Sequence, residues 1–137
     1  MTRSQMAEEF FNAWAKDGSS AESAGTVPGI IPDEPEGWQL DKIPYQDTNI
    51  SLMKEMGFDI SHKRTRRVTP EMVKEADLVV NMAEKETVPD FLASATNVIN
   101  WDVPNPDRCI ASLTQVKNQL TELVGDLVQK VAAGKLA

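Results

Sequence analysis

Cysteine is almost missing from these 137 residues: Cys109 stands alone, which excludes an internal disulfide. Histidine is as scarce. His62 has no Cys or carboxylate at ligand spacing, so no metal site is expected and His62 reads as structural. No apolar run approaches the roughly 20 residues of a membrane span, and the N-terminus lacks the apolar core of a signal peptide. These absences predict a cytoplasmic protein without a cofactor. Positive charge is also short, with 14 Lys and Arg against 21 Asp and Glu and a net charge of −7. That balance argues against nucleic acid or an anionic membrane as partner, because both need clustered cations.

What is present fits one domain over residues 1–137. Met6, Phe10, Ala13 and Trp14 recur at helical spacing, and Thr2 with Gln5 has capping-box spacing, predicting a helix over 3–15 that stops near Gly18. A helix start at Arg3 and Ser4 presents unpaired N–H groups and positive dipole to an anion. A short strand is expected over 21–24. Residues 27–44 carry Pro28, Pro32, Pro35 and Pro44 with Gly29 and Gly37, so neither helix nor inner strand can persist there. Two readings of that loop stand: Trp38 or Tyr45 as an aromatic wall beside a ligand, or an acidic surface loop with Trp38 folded onto the core.

A helix is expected over 47–56, ended by Gly57. Lys63, Arg64, Arg66 and Arg67 then form a basic cluster, read either as an anion attractor or as a loop paired to nearby acids. Thr69-Pro70-Glu71 starts a short helix. Apolar runs at 77–82 and 97–101 read as parallel strands covered on both faces, with a helical segment over 84–93 that Pro89 can break. Leu113, Val116, Leu120, Leu123, Leu127 and Val131 form the stripe of a last helix ending at Gly134, with Cys109 at its start. The helix and strand alternation is that of a parallel α/β sheet.

Five stretches in order resemble low-molecular-weight protein tyrosine phosphatases and their thioredoxin-coupled arsenate reductase relatives. They are Arg-Ser-Gln-Met-Ala-Glu (3–8), Ser-Ala-Gly-Thr (23–26), Gly-Phe-Asp-Ile-Ser (57–61), Ala-Asp-Leu-Val-Val-Asn-Met (76–82) and Trp-Asp-Val-Pro-Asn-Pro (101–106). The resemblance implies a small parallel sheet with helices on both faces, a phosphotyrosine phosphatase I-like, flavodoxin-like three-layer fold, here with its first strand missing. It implies phosphate-ester hydrolysis through a cysteinyl-phosphate. Arg3 and Ser4 match the last two residues of the family's phosphate-binding loop, and Thr2 a variable place before them. The nucleophilic cysteine would stand six residues before Arg3, where this sequence has no residue. The family's acid comes from an Asp-Pro that aligns here with Asn105-Pro106, so Asp102 or Asp107 would have to stand in.

The expected function is therefore that of a low-molecular-weight tyrosine phosphatase-like protein, inactive as this chain. The alternatives are an arsenate reductase-like enzyme and a non-catalytic anion-binding or interaction module. The expected partners are a phosphorylated protein or small oxyanion, with a homodimer formed by strand exchange or edge pairing where the missing strand leaves edges open.

Overall fold

Met6, Phe10 and Trp14 lie one helical turn apart in succession, so α1 (Thr2–Trp14) carries an apolar stripe that must be covered. In the computed structural model, which describes residues 2–28, 35–106 and 109–134, Met6 and Phe10 are fully buried. Phe10 stacks on Trp14 with ring centroids 5.1 Å apart and meets Phe58 edge-on at 5.7 Å. The covering element is α5 (Ile110–Ala132), which packs along α1 and buries Leu113, Val116, Leu120 and Val124. Leu52 and Met53 of α2 (Asp47–Glu55) complete the core with Leu40, Ile43, Ile60 and Val103. Cys109 is the N-cap of α5, its Sγ accepting the Ser112 N–H at 3.4 Å.

A second group of elements builds the sheet. Thr69 caps α3 (Pro70–Glu75) by accepting the Met72 N–H at 3.2 Å, with proline at the first position as the sequence predicts. From α3 the chain enters β1 (Val79–Asn81). The expected helix over 84–93 is divided at Pro89 into a 3-10 turn, Lys85–Thr87, and α4 (Asp90–Ala93). The chain then enters β2 (Val98–Asn100), which runs parallel to β1 with Val80 opposite Ile99. Asn97, just before β2, donates from Nδ2 to Val73 O and Ala76 O at 2.9 Å each and so ties the end of α3 to the sheet.

Three expectations need correction. No strand forms over 21–24; among the described residues Gly25 makes only an isolated parallel bridge to Arg67. Side chains take the places of strand neighbours there. Asn12 exchanges bonds with both Ala21 N–H and Ala21 C=O at 2.7 and 3.0 Å, Glu8 accepts the Ser23 N–H, and Arg66 donates to Ser23 O. Gly25 itself is dictated by contact, since a Cβ there would stand 2.7 Å from Pro28 Cδ. Secondly, the capping box does not form: Thr2 lies inside α1, and its hydroxyl accepts from Gln46 Nε2 at 3.4 Å. Thirdly, no residue of β1 or β2 is fully buried, because among the described residues β1 has no second strand partner.

Parallel pairing turns Val79 and Asn81 toward β2 and leaves the Val80 N–H and C=O on the open edge. In hydrogen exchange at micromolar protein, the Val80 amide should therefore exchange at least about tenfold faster than the Val79 amide, which is bonded to Asn97 O at 2.8 Å. Equal protection at all dilutions would show that the edge is already covered.

Candidate oxyanion site at the start of the first helix

Parallel strands end on the same side, so the loops that follow β1 and β2 emerge together. Arg3 joins them to the start of α1. Its Nη1 donates to Val103 O at 2.7 Å, and its Nη2 pairs with Glu84 Oε1 at 2.9 Å. The guanidinium is buried, with 7% of Arg3 exposed, whereas half of the Glu84 side chain faces solvent. A positive group at a helix N-terminus, held on one side by a carbonyl and on the other by a displaceable carboxylate, is arranged to hold an oxyanion.

Ser4 is half-buried on the same first turn. Thr2 begins a polar chain in which Gln46 Nε2 donates to the Thr2 hydroxyl and Asn49 Nδ2 donates to Gln46 Oε1 at 3.1 Å. Asn49 Oδ1 is buried without a partner among the described residues. Asp102 and Asn105 are exposed in the loop that Arg3 grips, and the Asp102 carbonyl is tied to α5 by Gln119 Nε2 at 3.0 Å. Asp107 lies outside the described residues. The structure thus brings Arg3, Ser4 and Thr2 to one helix start and places Asp102 next to Val103, one of the two groups that hold Arg3. Cys109 is exposed at the start of a different helix. Glu84 escaped sequence reasoning, which treated it as the start of a helix; its only signal was an acid just past a strand end. Among the described residues no cluster could hold a metal ion, and no helix is long and apolar enough to cross a membrane.

The basic cluster is divided between pairing and exposure. Lys63 Nζ is bonded to Glu8 and lies 2.7 Å from Glu9 Oε1, and Arg66 reaches Glu22 at 3.5 Å. Burial pushes the Glu9 carboxyl above its ordinary 4.5, with the His62 charge pulling the other way. Burial likewise lowers Lys63 from its ordinary 10.5, and Arg66 adds to that. His62 itself is exposed.

Two outcomes follow. Replacing Arg3 by Ala strands the Val103 carbonyl and should lower stability by about 1–3 kcal/mol in urea titration. A raised carboxyl pKa in the fold means that the folded state holds its proton more tightly than the unfolded one. The stability difference between the parent and Glu9→Gln should therefore move in the parent's favour as pH falls from neutral to 4.5. A movement in the opposite direction would mean that pairing with Lys63 outweighs desolvation.

A profile of the family described as Low molecular weight phosphotyrosine protein phosphatase matches residues 1–136. Among solved structures, the chain is similar to the low molecular weight protein tyrosine phosphatase from T. tengcongensis, with a TM-score of 0.73, 29% identity, and coverage of 93% of this chain and 90% of that one. It is similar in fold to the YwlE arginine phosphatase from Geobacillus stearothermophilus, with a TM-score of 0.76, 20% identity, and coverage of 98% and 88%. No curated protein matches it.

Proposed function

Because the chain belongs to the low molecular weight phosphotyrosine protein phosphatase family, we propose that it binds a phosphate monoester or a related small oxyanion at the start of α1, Arg3 being the clamp. The observation that carries this reading is the buried Arg3 guanidinium, paired with the half-exposed Glu84 carboxylate at 2.9 Å. An oxyanion replacing that carboxylate would meet the same donor, the Ser4 hydroxyl and the positive end of the helix.

Hydrolysis in this reading takes two displacements. A thiolate attacks phosphorus while the ester oxygen leaves with a proton, and water then displaces the thiolate from the cysteinyl-phosphate, regenerating it with inorganic phosphate. Asp102, in the loop that Arg3 holds, is the proposed proton donor in the first step and base in the second. Asn105, at the family's acid position, cannot serve, since an amide does not exchange protons usefully. Nothing in this sequence supplies the thiolate, for Cys109 caps α5. The 137-residue chain accordingly binds without turning over.

Two measurements test this. The chain should give no hydrolysis of para-nitrophenyl phosphate above buffer, and a version extended upstream with a cysteine six residues before Arg3 should gain it. Turnover by the present chain that survives Cys109→Ser would refute the assignment. In calorimetry with orthophosphate, Glu84→Gln should raise affinity about three- to tenfold by removing the competing carboxylate, and Arg3→Ala should abolish binding. Unchanged affinity in both variants would place the anion elsewhere. The second reading, an oxyanion-binding module without catalysis, rests on the same Arg3–Glu84 pair and predicts binding in the extended chain without turnover.

A further inference from the structure

Glu84, whose carboxylate lies on Arg3, opens the Lys85–Thr87 turn between β1 and α4. That turn closes twice on the Glu84 carbonyl, which accepts the Thr87 N–H and the Thr87 hydroxyl at 2.9 Å each. Thr87 also accepts a bond from far away in sequence, the Thr26 hydroxyl donating to its Oγ1 at 2.9 Å. Thr26 Oγ1, Thr87 Oγ1 and the Glu84 carbonyl thus form one directed chain of hydrogen bonds, each hydroxyl proton pointing toward Glu84.

Thr26 stands on fixed backbone. The Gly25 N–H donates to Arg66 O and the Val68 N–H to Gly25 O, both at 2.9 Å, and Arg66 Nε donates to Ser23 O at 2.8 Å. Pro28 closes over Gly25 within the space a Cβ would need. The turn that carries Glu84 has no comparable support: Lys85–Thr87 buries no residue, and half of the Glu84 side chain faces solvent. A glutamate on an unpacked turn spreads over many conformers, because ordering a long side chain costs about what an exposed ion pair returns. Here the bond from Thr26 supplies the restraint.

We propose that Thr26 and Thr87 are positioning residues that set the oxyanion affinity of the α1 start by holding the Glu84 carboxylate on Arg3. The inference rests on the reading of that helix start as an oxyanion site, and it adds what restrains binding there. Pairing of Glu84 with Arg3 is an intramolecular event whose effective concentration depends on how closely the turn is held. An oxyanion has to displace the carboxylate, so its apparent affinity is reduced to the fraction of molecules in which the guanidinium is free. Loosening the turn raises that fraction and leaves Arg3, Ser4 and the helix start unaltered. The two threonines therefore act against binding, and their loss strengthens it. Residues with a merely structural role would, when lost, weaken binding or leave it unchanged.

The test is calorimetry of the full chain with orthophosphate. Thr87→Val, which keeps the shape of the side chain and removes its hydroxyl, should tighten binding about two- to fivefold, and Thr26→Val should do the same from the other end of the bond. Thr87→Ser, which keeps the hydroxyl, should bind as the parent does. Neither valine variant should add to Glu84→Gln, since without the carboxylate there is nothing left to hold. Circular dichroism checks that each variant is folded; Thr26→Val decides the question if Thr87→Val is not, because it leaves the turn's own bonds intact. Unchanged or weaker binding in the folded valine variants, equal tightening in Thr87→Ser, or full additivity with Glu84→Gln would each overturn the proposal. Binding by the parent that Arg3→Ala abolishes supports the oxyanion reading by itself, so the restraint can fail while that reading stands. Absence of binding by the parent would overturn both.

Discussion

A guanidinium taken out of water must find partners, and Arg3 finds them on the two loops that leave the sheet. Its bond to Val103 O and its pair with Glu84 connect α1 to the ends of β2 and β1 at one point. The rest of the arrangement depends on that junction. Buried Val103 is drawn into the same core as Met6 and Phe10, so the Arg3 side chain is one of the links between the helical core and the sheet. The same three groups stand where an oxyanion is proposed to bind, so a change at Arg3 touches the packing and the proposed site together.

Much of the fold was legible because local chemistry and tertiary need agreed. The Thr69-Pro70 start, the 3.6-residue stripe of α5 and the apolar runs of β1 and β2 each follow from a pattern that the structure also uses. Pattern failed where satisfaction came from a distance. Ala21 and Ser23 looked like strand residues, yet their backbone groups are taken by Asn12, Glu8 and Arg66, and no window of sequence around 21–24 contains those partners. Thr2 and Gln5 had capping spacing, but the Thr2 hydroxyl takes its bond from Gln46.

Of the candidate site, the placement of Arg3 and Ser4 at a helix start was legible and the pairing of Arg3 with Glu84 was not. An arginine at a helix start announces an anion, but only the fold shows that a carboxylate from residue 84 already occupies one of its N–H groups. Trp38 belongs to the same class of omission. Its exposure depends on the pairing of residues 37–41 with 61–65, so the sequence left open whether the indole would fold inward. The basic cluster, by contrast, resolved residue by residue: Lys63 and Arg66 are spent on acids, Arg64 on a carbonyl.

The separation between the helical core and the sheet has a kinetic meaning. Val73 and Leu92, the buried residues of α3 and α4, lie outside the cluster that unites α1, α2 and α5. Between the two groups run the Arg3 bonds, the Thr26–Thr87 hydroxyl contact at 2.9 Å and the packing of Met82 and Trp101. Parts joined by so few links open locally before the whole unfolds, and the α3–β1–α4–β2 unit is where such opening is expected first.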